Sequence, residues 1–358
     1  MNDIANTNQM PGRLGDAERT LLTDPRLDPR LRAALELAGE FAPGVEPISP
    51  DATLEECFTH CTAFEAAAAI AHPMQQAMVP DLPHVERSSQ TISGVDGNDI
   101  ELFIHRRNDL DGPAPCIVHT HGGGMVVMSA TDPNFVRWRD ALADGGLVVV
   151  GVEFRNGGGA LGNHPFPAGL NDCASAARWV AANRATLGID KIVISGESGG
   201  GNLAVATALQ AKRDGWLGEI AGIYAMCPYV SGAYAEPPAE LLSLRENDGY
   251  MLDCVTMHSL TRVYDPSGDN RTNPLAWPLH ATSEDLAGLP PHVVSVNELD
   301  PLRDEGLALY RNLLAAGVPT AARTAHGTPH AGDMVFADVV PEVYAETLRS
   351  VVGFAKSL

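Results

Sequence analysis

The sequence predicts an α/β domain in which a mostly parallel central β-sheet is flanked by helices. The first observation is a series of short β-rich apolar runs that alternate with helical stretches from about residue 90 onward. The second is that these runs are apolar throughout, as expected for strands covered by helices on both faces of a sheet. The third is that 45% of the 358 residues are hydrophobic and 19% are charged, which provides for a large core.

The predicted elements follow one another regularly along the chain. A β-hairpin is indicated by Thr91–Ser93, a turn at Gly94–Gly97, and Asp99–His105. The later predicted strands are Cys116–His119, Leu147–Phe154, Lys191–Ser195, Ile220–Met226, His292–Val296 and one near Thr320–Thr324. The helices predicted between them are Asn171–Ala185, Asn202–Arg213 and Arg303–Ala316. Such strand–helix alternation predicts parallel strands joined by helical crossovers.

Two segments depart from this alternation. The first 85 residues have a helical pattern: one helix begins at Asp28–Pro29 and ends at Gly39, and a second ends before Pro73. The segment 229–282 is rich in Pro, Gly, Asp and Asn, and we interpret it as an insertion over the carboxyl ends of the strands. We expect both segments to cover or pack against the α/β domain.

Charge and hydropathy exclude several classes of function. With 24 basic and 45 acidic residues the formal net charge is −21, and no basic run is longer than Arg106–Arg107, so nucleic-acid binding is not expected. The longest apolar stretches are too short to span a membrane. The amino terminus has an early Asp3 and no apolar region typical of a signal peptide. Six thinly spread cysteines are typical of a reduced, cytoplasmic protein.

Neither a metal nor an organic cofactor is predicted. Cys57, His60 and Cys61 lie close in sequence, but without a second cluster at ligand spacing they make a poor zinc site. Glycines spaced as G-x-G-x-x-G occur in Gly157–Gly162. The residues that follow, Asn163–Pro167, cannot open a helix, so no helix N-terminus is available for a pyrophosphate.

A nucleophilic serine is indicated at Ser198. The segment Gly196–Gly200 reads G-x-S-x-G, with an apolar strand before it and a helix after it. This context predicts a sharp strand-to-helix turn that exposes the serine hydroxyl at the top of the sheet. Upstream, His119–Met125 contains three successive glycines after another strand. Two backbone N–H groups of that loop, together with the N–H of Gly199, would bind a developing oxyanion.

A serine nucleophile needs a histidine base and an orienting carboxylate, which are expected in loops after later strands. Asp300 is the best placed carboxylate, since it lies between a strand and the helix at Arg303–Ala316; Glu298 and Asp304 are the alternatives. His330 follows Pro329 in a loop after the last strand, and His326 at the strand end is the alternative base. His121 is expected to orient the glycine loop, and His119 to belong to a strand.

With these residues the sequence resembles the hormone-sensitive-lipase-like esterases of the α/β-hydrolase fold. The resemblance rests on the His-Gly-Gly-Gly segment, the turn at Gly196–Asn202 and the motif Asp300–Glu305, and it extends to Pro11–Gly15 and Glu246–Tyr250. Two departures are a Glu and a Gly beside the nucleophile, where the family has Asp and Ala, and Ala-Gly after His330, where it has Gly-Phe.

The resemblance implies a site and a domain division. The nucleophile would be Ser198, the acid Asp300 and the base His330, and the oxyanion donors would be Gly123, Gly124 and Gly199. A helical cap would consist of an N-terminal segment (1–85) and an insertion (230–282), and the catalytic domain would comprise 86–229 and 283–358.

The function implied is hydrolysis of short- to medium-chain carboxylic esters through an acyl-enzyme, without a cofactor. Two alternatives stay open: a non-catalytic protein that binds small molecules on the same scaffold, and a hydrolase of amides or macrolactones. The expected partner is a small-molecule ester. An exposed edge strand near residues 320–325 offers unpaired backbone groups through which two subunits could pair as a homodimer.

Overall fold

The computed structural model describes residues 10–39 and 45–358. Its strands are β1 (Val85–Ser93), β2 (Asp99–Arg107), β3 (Ala114–Thr120), β4 (Val148–Glu153), β5 (Ile189–Glu197), β6 (Gly222–Met226), β7 (His292–Asn297) and β8 (Thr320–Ala325). Its α-helices are α1 (Gly12–Gly15), α2 (Pro29–Gly39), α3 (Leu54–Met78), α4 (Pro133–Asp144), α5 (Ala168–Ala182), α6 (Arg184–Leu187), α7 (Gly199–Arg213), α8 (Ser243–Glu246), α9 (Cys254–Tyr264), α10 (Ser283–Leu286), α11 (Arg303–Ala315), α12 (Gly332–Val335) and α13 (Pro341–Ser357). Asp3 lies outside the described residues.

The described strands form one sheet in the order β1-β2-β4-β3-β5-β6-β7-β8. β1 pairs with β2, and β2 with β4, in the antiparallel sense, and all other neighbours are parallel. Residues of β3, β4 and β6 are almost all buried, because helices cover both faces of the sheet. The predicted fold class, a mostly parallel sheet flanked by helices, is confirmed.

The predicted end of the second N-terminal helix is wrong. The second N-terminal helix was expected to end before Pro73, but α3 continues through this proline to Met78. Proline removes one backbone donor and crowds the preceding turn, which usually ends a helix. Here the first turns of α3 are fixed by a capping box at Thr53 and by the buried Cys57 and Cys61, and the exposed C-terminal turns extend from that base.

The two segments predicted as cap contact each other and the α/β domain. α3 lies against α9. The Arg262 guanidinium of α9 donates to the carbonyl of Ala52, just before α3 begins. Glu65 of α3 accepts hydrogen bonds from two backbone N–H groups of the α/β domain, Met128 N at 2.7 Å and Ala160 N at 2.6 Å. The division into cap and catalytic domain stays a prediction.

A separate apolar cluster attaches the N-terminal segment to the carboxyl edge of the sheet. Leu27 and Leu31 are buried together with Tyr250, Leu299 and Val340. Leu299 lies in the loop after β7 that also contains Asp300. The N-terminal segment therefore packs directly against the loop that contains Asp300. Within the part of the chain described, no helix has the length and apolar character needed to cross a bilayer.

Replacing Leu31 by alanine is expected to destabilise the protein far more than the same change at Leu37. Both residues lie in α2, but Leu31 is 0% and Leu37 is 61% exposed. The buried change leaves a cavity and lowers the free energy of unfolding by about 2–5 kcal/mol. The exposed change alters it by about 0.5 kcal/mol or less. Denaturant unfolding measures both, and equal losses would contradict this packing.

Candidate active site

Ser198 occupies a strained turn between β5 and α7. Its backbone angles are φ 57° and ψ −119°, outside the regions that side chains prefer. The turn is held by backbone hydrogen bonds: Ser198 N donates to Met226 O (2.9 Å), and Ser198 O accepts from Tyr229 N (3.0 Å) and Asn202 N (3.1 Å). The segment that follows β6 therefore supports the conformation of the serine.

Two glycines allow this turn to approach the end of β3. A Cβ at Gly200 would lie 2.6 Å from His121 O and even closer to Thr120 O, and a Cβ at Gly196 would also collide with Thr120 O. In addition, the Thr120 hydroxyl donates to Gly200 O at 2.8 Å. The first turn of α7 is thus in backbone contact with β3, as the glycine spacing of the motif requires.

The glycine loop after β3 lies beside the serine turn. Gly123 and Gly124 have φ angles of 100° and 63°, which glycine adopts readily. A Cβ at Gly199 would be 2.7 Å from Gly124 N and 2.5 Å from Met125 N. The structure therefore brings the predicted donor Gly199 into backbone contact with the loop that contains the other two.

Glu197, the residue before Ser198, connects the turn to the glycine loop. Its buried carboxylate accepts from Gly122 N (2.9 Å) and from His119 Nε2 (3.0 Å). Burial lowers the pKa of His119 more than the Glu197 charge raises it, so the imidazole is neutral and its Nε2–H is the donor. Sequence reasoning missed this role, since Glu197 was noted only as a departure from the family pattern.

His121 supports the same loop from the other side. Its Nδ1 donates to Gly122 O at 2.8 Å, and its ring stacks on Phe154 with centroids 4.1 Å apart. This is the orienting position that the sequence predicts for His121. Gly122 is therefore held at both its N–H and its carbonyl.

His330 and Asp300 form a hydrogen-bonded pair. His330 Nδ1 lies 2.8 Å from Asp300 Oδ2. A carboxylate only accepts, so Nδ1 is the donor, and in the neutral imidazole Nε2 is the nitrogen that can accept a proton. Asp300 is fully buried, and its Oδ1 accepts from Leu302 N at 2.9 Å. Oδ1 is thus fixed within the acid loop, which we define as residues 298–302, and Oδ2 is bound by His330 from outside that loop.

The environment of His330 favours its charged form. Burial lowers the pKa of the imidazole, but the Asp300 charge more than compensates, and the net shift is well above the ordinary value. The Cys227 thiol also lies close to the pair. Burial raises the pKa of that thiol, so near neutral pH it carries no charge, and Asp300 is the main cause of the rise in the His330 pKa.

The alternative residues have other partners. His326 is 77% exposed, and its Nδ1 lies 3.2 Å from Glu298 Oε2. Asp304 accepts from Ser243 N at 2.8 Å and pairs with the neighbouring Arg303. The Ser198 hydroxyl makes no hydrogen bond within the described residues; such bonds often tighten only when substrate binds.

Potential metal ligands come together at one place among the described residues. Cys227, Asp300 and His330 have ligand atoms within 4.8 Å of one another, but two of these residues already bond to each other. Cys57, His60 and Cys61 form no such group in the part of the chain that is described. Cys57 and Cys61 are instead buried in the apolar core.

Comparison with known proteins places the chain in a family. A family model described as the α/β hydrolase fold matches residues 117–333. The chain is 30% identical to carboxylesterase NlhH of Mycobacterium tuberculosis, over 86% of this chain and 93% of that one. It is 34% identical to esterase LipI of the same organism, over 67% of this chain and 72% of LipI.

Solved structures agree with this placement. The structure of brefeldin A esterase, described as a bacterial homologue of human hormone-sensitive lipase, is 45% identical, with a TM-score of 0.88 over 97% of this chain and 98% of that chain. Esterase Est22 is 36% identical, with a TM-score of 0.83 over 94% and 98%. The chain therefore belongs to the α/β-hydrolase family, as an esterase of its hormone-sensitive-lipase-like group.

Proposed function

We propose that this esterase hydrolyses carboxylic esters with a triad of Ser198, His330 and Asp300. The observation that supports it most is the hydrogen bond from His330 Nδ1 to the buried Asp300 carboxylate, which makes Nε2 the acceptor in the neutral imidazole. In this reaction Nε2 takes the proton of Ser198 as its oxygen attacks the ester carbonyl. The alcohol leaves with that proton, and a water activated by His330 then releases the acid from the acyl-enzyme.

The oxyanion would be bound by the backbone N–H groups of Gly123, Gly124 and Gly199. The close contact between Gly199 and the glycine loop supports this proposal. Donors that are fixed before the reaction cost no reorganisation when charge develops, and each contributes about 3 kcal/mol to stabilising the transition state. Glu197 would act by holding this loop, since it binds Gly122 N but none of the three donors.

Short- to medium-chain esters are the substrates that the surroundings of the glycine loop favour. Leu260 of α9 lies directly over Gly124, where an added Cβ would be 2.9 Å from Leu260 Cδ1. The insertion therefore occupies space next to the proposed oxyanion site. Brefeldin A, the compound in the name of the 45%-identical relative, is a candidate substrate to assay beside simple esters.

The assembly and the compartment of the protein are further proposals. β8 is an edge strand of the sheet, and Ala321 and Ala322 are exposed on it, so a second copy of the chain could pair there to form a homodimer. Sedimentation velocity tests this pairing. All six cysteines are free, which supports a reducing, cytoplasmic compartment.

Ser198→Ala is expected to abolish ester hydrolysis without unfolding the protein. The change removes the nucleophile, whereas the turn is held by backbone groups that alanine retains. The assay is kcat/KM for p-nitrophenyl butyrate and p-nitrophenyl dodecanoate, with circular dichroism as the folding control. We expect serine-dependent turnover that favours butyrate. Faster cleavage of dodecanoate would contradict the proposed chain length, and activity of folded Ser198→Ala would contradict the triad.

Asp300→Asn is expected to lower kcat by about 10³–10⁴-fold, because the amide no longer selects the tautomer with the proton on Nδ1. Activity requires neutral His330, so the acid limb of kcat/KM follows the pKa of that residue. Asp300 raises this pKa; its neutralisation should therefore move the limb to lower pH. If the variant keeps residual activity and the acid limb of its kcat/KM profile does not move, this would argue against Asp300 as the acid. Asp111→Asn, at an exposed position, is the control.

Glu197→Ala is expected to lower kcat by about tenfold or more, with KM changed less, because Gly122 loses its acceptor and the oxyanion loop shifts. Glu197→Gln keeps an acceptor for Gly122 N and should retain more activity. Glu219→Ala, at an exposed position, is the control. Equal activity of the alanine and glutamine variants would contradict this role.

A further inference from the structure

A buried polar residue behind the acid loop has no part in the proposed triad. Asn247 follows α8 in the insertion and is fully buried. Its side-chain Nδ2 donates to two backbone carbonyls of the acid loop, Asp300 O at 3.1 Å and Glu298 O at 3.2 Å. One amide group from the insertion therefore holds both the residue proposed as the catalytic acid and the start of its loop.

The orientation of this amide is set from the N-terminal segment. Asn247 Oδ1 accepts from Arg26 Nη2 at 3.1 Å. A guanidinium only donates, so the amide oxygen must face Arg26, and the two Nδ2 hydrogens must face the acid loop. The opposite assignment would place Nδ2 beside the Arg26 guanidinium, so that two donors face each other. It would also place Oδ1 beside the two carbonyl oxygens of the acid loop. Arg26 thus fixes which way Asn247 points.

Glu246 joins the same three parts of the chain. Its buried carboxylate pairs with Arg26 and with Arg303, and Arg303 also donates to Glu298 O at 3.0 Å. Burial opposes the charge of Glu246, but the two guanidinium groups outweigh it and lower its pKa. Arg26 is further held by the buried carboxylate of Asp24. The N-terminal segment, the insertion and the acid loop are therefore locked together by paired charges.

We propose that Asn247 is a positioning residue for Asp300, and that Arg26 holds Asn247 in the orientation this requires. The proposal rests on Asp300 being the acid of the triad. Asp300 Oδ1 is bound within its own loop by Leu302 N, so the carboxylate moves with the loop backbone. A loop held at Asp300 O keeps Oδ2 aimed at His330 Nδ1. Asn247 acts only through Asp300.

The test is Asn247→Asp, which keeps the size of the side chain but sets an oxygen against the carbonyls of Asp300 and Glu298. We expect kcat for p-nitrophenyl butyrate to fall by about tenfold or more, because small displacements of catalytic groups have large effects on rate. KM should change by no more than about twofold, since no substrate contact is touched. Asn312→Asp, at an exposed position of α11, should leave both constants unchanged.

The pH profile separates positioning from stability. The pH profile is measured in Asn247→Ser, which loses both donors to the acid loop without adding a carboxylate near His330. With Asp300 displaced, the imidazolium of His330 loses support, so the acid limb of kcat/KM should move to lower pH. Arg26→Lys keeps the charge but loses the guanidinium geometry. It should lower kcat and move the acid limb to lower pH, each by less than substitution of Asn247 does. All assays run below the thermal transition of each variant, and Asn247→Ser replaces Asn247→Asp if the latter does not fold.

Three outcomes would overturn the proposal: wild-type kcat in a folded Asn247 variant, a loss of kcat with the acid limb unmoved, or the same losses in Asn312→Asp. Absence of Ser198-dependent hydrolysis in the wild type would instead refute the proposed function. In that event the downfield NMR resonance of the His330 Nδ1 proton still tests the positioning. We expect this resonance to be observed in the wild type and to be weakened or shifted in Asn247→Asp. A resonance that is the same in both proteins would overturn the proposal.

Discussion

The close backbone contact between the start of α7 and the end of β3 is the constraint on which the site depends. It exists because Gly196 and Gly200 present no Cβ to Thr120 O. The contact forces Ser198 into a conformation that costs about 1–3 kcal/mol, and hydrogen bonds at both its N–H and its carbonyl maintain it. It also sets the loop around Gly123 beside the serine. One packing constraint therefore positions Ser198, the proposed nucleophile, together with the glycine loop proposed to bind the oxyanion.

The parallel sheet supplies the other half of the site. Strands β5, β7 and β8 run in the same direction, so the loops after them open at the same edge although they lie far apart in sequence. Asp300 and His330 come from two of these loops and meet at 2.8 Å. Burial of the carboxylate strengthens its effect on the imidazole, because little solvent screens the charge.

Much of this could be predicted from sequence because its determinants are local. Glycine spacing and apolar runs specify the turn at Ser198 and the succession of strands and helices along the chain without knowledge of distant residues. Glu197 and Asn247 escaped prediction for the opposite reason: their partners lie far away, 75 residues from Glu197 to Gly122 and 53 from Asn247 to Asp300. The extension of α3 past Pro73 was missed because a local rule was outweighed by the anchoring of the earlier turns.

The segments outside the α/β domain do more than cover it. Glu65 of α3 binds Met128 N beyond the glycine loop, and Leu260 of α9 lies over Gly124. In addition, Asn247 donates to the acid loop and is itself bound by Arg26. The elements that would shape a substrate pocket are thus bonded to the loops that would carry out the chemistry. If the proposed site is correct, a substitution in these segments that changes substrate fit also displaces the groups proposed as catalytic, so that specificity and kcat change together.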